Sequence, residues 1–171
     1  VDINFFNSAG IFVNSKKTVK GSVNEGGIRV PTIVTWPKKI KSGTKSDHPC
    51  TFYDFFATVS DILGNPVYNK TDGLSYLPSL IGKEQKEHDY LYWEFPAYGG
   101  QQAIRINQWK GIKRDLFKGS SNLKLYDLSK DPKELNDVAN LYPDVVVNME
   151  KLLKQAHTKA TIKTFNIPIL D

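Results

Sequence analysis

The sequence predicts an α+β fold in which a four-stranded antiparallel sheet is packed with a C-terminal helix. Between Tyr90 and Leu128, apolar residues recur at every second position in four short runs joined by links of hairpin length, the pattern of a meander. After Pro143, the residues Val146, Met149, Leu152, Leu153 and Ala156 return at three- and four-residue steps, which gives a helix one apolar face. Cys50 to Gly64 shows the same helical period and places another helix ahead of the sheet.

The strands run Tyr90–Phe95, Gln101–Ile106, Trp109–Arg114 and Leu123–Leu128. Pro96 to Gly100 and Asn107-Gln108 are the turns, and Lys118 to Asn122 separates the last pair. Ser129 to Glu134 is an Asp- and Pro-rich turn. Pro143 sits where a first helical turn tolerates it. Thr158 to Asp171 shows no strong period.

Upstream, residues 1–19 read as a loop with a short extended piece containing Phe5, Phe6, Ile11, Phe12 and Val13. Lys20-Gly-Ser-Val-Asn-Glu-Gly-Gly-Ile-Arg-Val-Pro31 then enters the β-branched run Thr32 to Pro37, which reads as a buried strand. Gly26 and Gly27 read as a hinge, free to take conformations closed to other residues or to let a ligand approach closely. Glu25 and Arg29 flank it with opposite charges. A lysine ahead of such a turn suits an oxyanion in a cleft, although a solvated lysine beside an ordinary turn has the same spacing. Phe52, Phe55, Phe56, Val59, Ile62 and Leu63 form one helical face, expected in the core, and Gly64 with Pro66 ends that helix. Asp72 to Gly82 is a turn with a short apolar segment, expected to pack its leucines beneath the sheet. Asn69-Lys-Thr71 is a glycosylation sequon.

Composition narrows the function classes. At 40% hydrophobic and 24% charged residues the chain is that of a folded globular protein, not a disordered one. No apolar run is long enough for a membrane helix. The charge of +5 is dispersed along the sequence, and no zinc-finger, RNA-binding or helix-turn-helix signature accompanies it, so neither nucleic acid nor membrane is expected as a partner. Val1 to Phe6 has the character of neither a signal peptide nor an initiating segment, which suggests a fragment or a processed chain. The single cysteine, Cys50, excludes an internal disulfide and reads as a buried helical thiol. His48, His88 and His157 are far apart and read as surface or helix-end residues. Asp2 and Asn4 match no ligand spacing, and no metal ligand is assigned.

The segment Lys20-x-x-x-x-Glu25-Gly-Gly-Ile-Arg-Val-Pro31 resembles the second signature region of the type I sulfatases, the formylglycine-dependent arylsulfatase family of the alkaline-phosphatase superfamily. Phe5 to Gly10 is similar to the segment preceding it in many bacterial members. Asp54 with Thr58, Asp72-Gly-x-Ser75-x-x-Pro-x-Leu80-x-Gly82, Tyr92-Trp-Glu-Phe95, Gln102-Ala-Ile-Arg105, Trp109-Lys110 and Leu125-Tyr-Asp-Leu-Ser-Lys-Asp-Pro-x-Glu134 continue the likeness in order. It implies that residues 1–85 are the C-terminal remnant of an α/β catalytic domain and 86–171 the sulfatase C-terminal subdomain.

The resemblance implies hydrolysis of sulfate esters, with Lys20 as the catalytic residue that binds the sulfate. The nucleophile motif Cys/Ser-x-Pro-x-Arg is absent, since Cys50 is followed by Thr-Phe-Tyr-Asp54, and the early metal aspartates are absent too. Formylglycine and calcium are therefore implied only for a full-length parent, as are a missing N-terminal sulfatase domain as partner and a periplasmic or secreted location. Trp93, Glu94, Tyr98, Gln101 and Gln102 combine stacking surface and polar groups and are the substrate-binding candidates, for a sulfated small molecule or glycan. Pro96 stands where many relatives have a histidine. A phosphodiester or phosphonate hydrolase of the same superfamily and a non-catalytic accessory domain remain the competing readings.

Overall fold

The computed structural model describes residues 7, 9–12, 15, 18–65 and 71–171. Asp2, Asn4, Phe5, Phe6, Val13, Pro66 and the sequon residue Asn69 lie outside the described residues. The chain forms two compact units, one of the residues up to Val30 together with Tyr90–Asp171, the other Pro31–Asp89. This division differs from the expected boundary near residue 85: the Lys20 segment belongs with the sheet, because its buried side chains find their partners there.

The first unit is built on strands β1 (Leu91–Phe95), β2 (Gln101–Ile106), β3 (Trp109–Arg114) and β4 (Leu123–Asp127), in the order β1-β2-β3-β4. All neighbours are antiparallel, with Trp93 opposite Ala103, Ala103 opposite Ile112 and Gly111 opposite Leu125. The expected strands and register of alternation are therefore present to within a residue. A helix over Pro143–Ala156 covers one face, where Met149 and Leu153 pack with Ile104, Leu123 and Leu125. Gly111 makes this contact possible, since a Cβ there would lie 2.9 Å from the Met149 sulfur. The opposite face is not solvated. Val23, Ala103, Ile112 and Tyr126 form a second cluster there, flanked by Trp93 and Phe95. A sheet covered on both sides loses the apolar-in, polar-out alternation, and Gln101 through Ile104 are all buried.

The Glu-Gly-Gly segment is a single helical turn, α1 (Glu25–Ile28), not a hinge. Neither Gly26 nor Gly27 has a positive φ. What Gly27 supplies is space: a Cβ there would stand 2.1 Å from the Ser22 carbonyl oxygen and 2.7 Å from that of Val19. The glycines admit the protein's own backbone.

The second unit contains helices α2 (Asp54–Ile62) and α3 (Leu77–Leu80). Here two expectations are corrected. Thr32 to Pro37 forms no strand and Ile33 is 91% exposed, because no neighbouring strand among the described residues offers its backbone a ladder. The aromatic face of α2 is also not core: Phe52 is 91% exposed and Phe55, Phe56 and Leu63 are exposed with it. The buried side of α2 is Asp54, Ala57 and Thr58. Asp54 accepts the Thr51 N–H at 2.7 Å and the Leu74 N–H at 2.8 Å, and His88 Nε2 lies 2.8 Å away. Thr58 accepts the Tyr76 N–H at 3.0 Å. These bonds draw the 71–76 loop onto the polar edge of α2, and α3 follows beside it. The helix over Pro143–Ala156 becomes α4 in chain order.

Candidate functional site

Lys20 stands at the exposed end of a short segment, Lys20 to Ile28, in which Ser22, Val23, Asn24 and Glu25 are buried. That segment is held from the sheet. Lys110 of β3, with 0% exposure, places its Nζ 2.7 Å from Glu25 Oε1 and 2.9 Å from Glu134 Oε1. The other oxygen of Glu134 accepts the Asn24 side-chain amide at 2.7 Å and the Glu25 backbone N–H at 2.9 Å. Arg29 reaches Glu25 Oε2 at 3.3 Å, so the two charges that flank the glycines do pair, but the stronger partner of Glu25 is Lys110. Burial pushes the Glu25 carboxyl up, and the Lys110 ammonium outweighs it, so the net shift is downward and Glu25 is ionised. The Trp93 ring centroid lies 5.8 Å from Lys110 Nζ and closes the site on one side.

A second set of bonds fixes the start of the segment. Gln101 Nε2 donates to the Gly21 carbonyl at 3.0 Å and its Oε1 accepts the Val23 N–H at 3.4 Å. Arg114 donates to Gln101 Oε1 at 2.9 Å, to Ser22 Oγ at 3.3 Å and to Asn24 Oδ1. Gly21 has φ +82°, and the Tyr98 ring lies so close that a Cβ on Gly21 would meet it at 2.5 Å. Tyr98 itself is 79% exposed and rests on Phe95 at 6.1 Å between centroids. The corner therefore presents an ammonium and an open aromatic ring on either side of a glycine.

The five substrate-binding candidates are not brought together. Alternation in the sheet sends Trp93 and Gln101 to the face of the Lys20 segment, and Glu94 and Gln102 to the α4 face. Trp93 is half-buried against Lys110 and Gln101 is committed to the Gly21 backbone. On the α4 face, Gln102 Nε2 donates to the Tyr92 hydroxyl at 2.9 Å and that hydroxyl donates to Glu94. His157 Nδ1 lies 2.8 Å from Glu94 and its Nε2 3.2 Å from Asp171. Burial pulls the His157 pKa down, but the two carboxylates more than compensate and raise it; burial and then Glu94 push the Tyr92 phenol well up. Tyr98 alone of the five lies open, against Gly21, the residue that follows Lys20. Sequence reading gave no role to Lys110 or Glu134, whose signal was a lysine at an inward position of β3 and a glutamate in the turn after β4.

The model of the family "N-sulphoglucosamine sulphohydrolase, C-terminal" matches residues 19–159. The chain belongs to this sulfatase family. Among curated relatives, an N-acetylgalactosamine-6-O-sulfatase of Bacteroides thetaiotaomicron is 32% identical over 82% of this chain and 29% of its own length. The human steryl-sulfatase is 37% identical over 91% of this chain and 34% of its own. A solved structure described under the metabolism of glycosaminoglycans by Bacteroides thetaiotaomicron superposes with a TM-score of 0.68 at 31% identity, covering 81% of this chain and 31% of that one. The chain thus spans about a third of the length of the sulfatases it matches.

The groups implied for a whole sulfatase do not fit the residues present. Among the described residues no group of three or more His, Cys, Asp and Glu side chains is placed to hold a metal ion. Cys50, expected in a helix, lies in irregular chain ahead of α2 and is half-buried. Burial, and then the Asp54 carboxylate, push its thiol up, opposite to an activated nucleophile. His88 is tied to Asp54, with its ring edge-on to Tyr53 at 5.9 Å. His48, beside Cys50 in sequence, is shifted down, chiefly by burial.

Proposed function

We propose that this chain is the C-terminal part of a sulfate-ester hydrolase and supplies Lys20 to its sulfate pocket. The observation that carries this reading is the contrast within one signature segment. Glu25, Asn24 and Ser22 are buried and bonded inward, while Lys20, at the head of the same segment, is exposed. A turn held this firmly at one end fixes where the other end can be. An ammonium held at a sulfate oxygen opposes the negative charge that grows as the S–O bond breaks, and it does so without reorganisation at that moment. No step of the reaction is assigned to Cys50 or to any histidine here.

The substrate class is a sulfated glycan. Tyr98, against Gly21 at the residue after Lys20, offers a sugar ring an exposed stacking face, and a relative is named as an N-acetylgalactosamine-6-O-sulfatase. The partner is the remainder of a sulfatase, which brings the nucleophile and the metal; the 171-residue chain by itself turns over no sulfate ester. The test is Lys20→Ala in the full-length enzyme, with the isolated chain as blank. Loss of one donor aimed at developing charge lowers kcat by about a hundredfold or more, while the melting temperature stays within a degree or so because the side chain is exposed. Near-normal kcat in that variant, or aryl-sulfate turnover by the isolated chain, overturns the reading.

A further inference from the structure

We propose that Glu134 and Lys110 are positioning residues for Lys20, acting through a buried charge triad with Glu25; the proposal rests on the catalytic reading of Lys20 given above. The residues come from three places far apart in sequence: the turn after β4, strand β3, and the Lys20 segment itself, with Lys110 and Glu25 85 positions apart. All three side chains are within 3% of complete burial. A buried ion pair gives little net stability compared with apolar side chains of the same volume, because desolvation cancels the attraction. What such a cluster does supply is direction. The two Glu134 oxygens bond to different groups. Oε1 faces the Lys110 ammonium, and Oε2 gathers the Asn24 amide and the Glu25 N–H at once. Those two donors flank the first peptide of α1, so Glu134 fixes both the height and the rotation of that turn. Lys110 then holds the Glu25 side chain of the same turn from below.

From α1 the chain has only four residues to reach Lys20, and the Arg114 fork with Gln101 ties all four of them to the sheet. The position of the Lys20 backbone is thereby set by residues that never touch a substrate. A shift of about 1 Å at a catalytic group costs up to a hundredfold in rate. The triad is a device of that kind, with its cost carried in the interior and its effect read at the corner.

The test is a double-mutant cycle in the full-length enzyme. Glu134→Gln keeps the shape but leaves a single acceptor oxygen where two were engaged, and Lys110 retains Glu25. The expected result is kcat reduced about tenfold, with KM changed less than twofold. In a Lys20→Ala background the same substitution lowers kcat no further, because the group it positions is gone. Arg114→Lys, on a half-buried side chain, keeps the charge, loses the fork, and gives the same pattern if Glu134→Gln does not fold. Equal loss of rate with and without Lys20 overturns the positioning role while leaving Lys20 catalytic. A Lys20→Ala enzyme of normal kcat overturns both readings together.

Discussion

Replacing Lys110 by methionine removes the one ammonium between two buried carboxylates while keeping most of the volume. The variant strands neither carboxylate completely. Glu25 keeps Arg29 at 3.3 Å, though that guanidinium is half exposed, and Glu134 keeps the Asn24 amide and the Glu25 N–H. Removing one partner of a buried pair costs about 3–5 kcal/mol. With these residual bonds the lower end applies, and ~3 kcal/mol lowers the melting temperature of a chain this size by roughly 6–12 °C. The pH dependence supplies a second signature. In the native chain the Glu25 pKa lies below its ordinary value, so its contribution is present above about pH 4.3 and is lost as the pH falls through the folded pKa. In Lys110→Met the burial effect on Glu25 is no longer outweighed and its carboxyl moves up. Groups raised in the folded state destabilise it at neutral pH and cease to do so as they protonate. The two proteins must therefore differ most near pH 7 and converge toward pH 4. Urea denaturation of both across that range is the assay. A deficit below about 1 kcal/mol at pH 7, or one that does not narrow with acid, refutes the argument that Lys110 neutralises this cluster.

Gly27→Ala forces a Cβ against the Ser22 and Val19 carbonyl oxygens, which are backbone and cannot swing aside; a loss of at least about 2 kcal/mol by the same assay is expected. The isolated chain, with Phe52, Phe55, Phe56, Leu63 and Ile33 all open, binds a hydrophobic dye and associates at high concentration, and Phe52→Ser with Phe56→Ser reduces both in light scattering and fluorescence. His157, raised by Glu94 and Asp171, contributes stability that is complete below about pH 6.5 and is lost as the pH rises through its folded pKa; Glu94→Gln flattens that fall in melting temperature.

The strands and the last helix were legible because each advertises its period locally. Ile104, Leu125, Met149 and Leu153 are core residues at the positions their spacing assigns. The same logic misled at α2. Its aromatic face is as periodic as that of α4, yet Phe52 and Phe56 are left exposed among the described residues, while Asp54 and Thr58 are drawn inward by the Leu74 and Tyr76 amides. Period tells which residues share a face and is silent on what covers it. Thr32 to Pro37 fails for a related reason: β-branched residues favour extended backbone, and a strand also needs an edge to pair with. At the site, Lys20 and Tyr98 were legible as residue types, and Glu25 was read with its neighbour Arg29. Its principal partner, Lys110, lies too far along the chain for any window to contain both.

The distribution of roles along the signature segment follows from that long-range contact. On the proposed reading Lys20 must keep its charge accessible to a sulfate, whereas a turn fixed in space must be buried and bonded, and a single short segment cannot meet both demands from its own side chains. Here the demands are divided. Lys20 stays outside, Ser22, Asn24 and Glu25 go in, and the glycines at 26 and 27 let the turn close on its own carbonyls. The inward charges then require partners, and these come from strands on which alternation has already placed Lys110 and Arg114 toward that face. Because Lys110 and Arg114 lie four residues apart on β3, they share a face by the two-residue repeat, so one strand anchors both ends of the segment. A one-residue slip of β3 would turn both cations toward α4 and take from Glu25 and Glu134 the lysine they share. The register of the sheet and the position of Lys20 are in this way one constraint, which is why the sheet and the signature segment form a single unit.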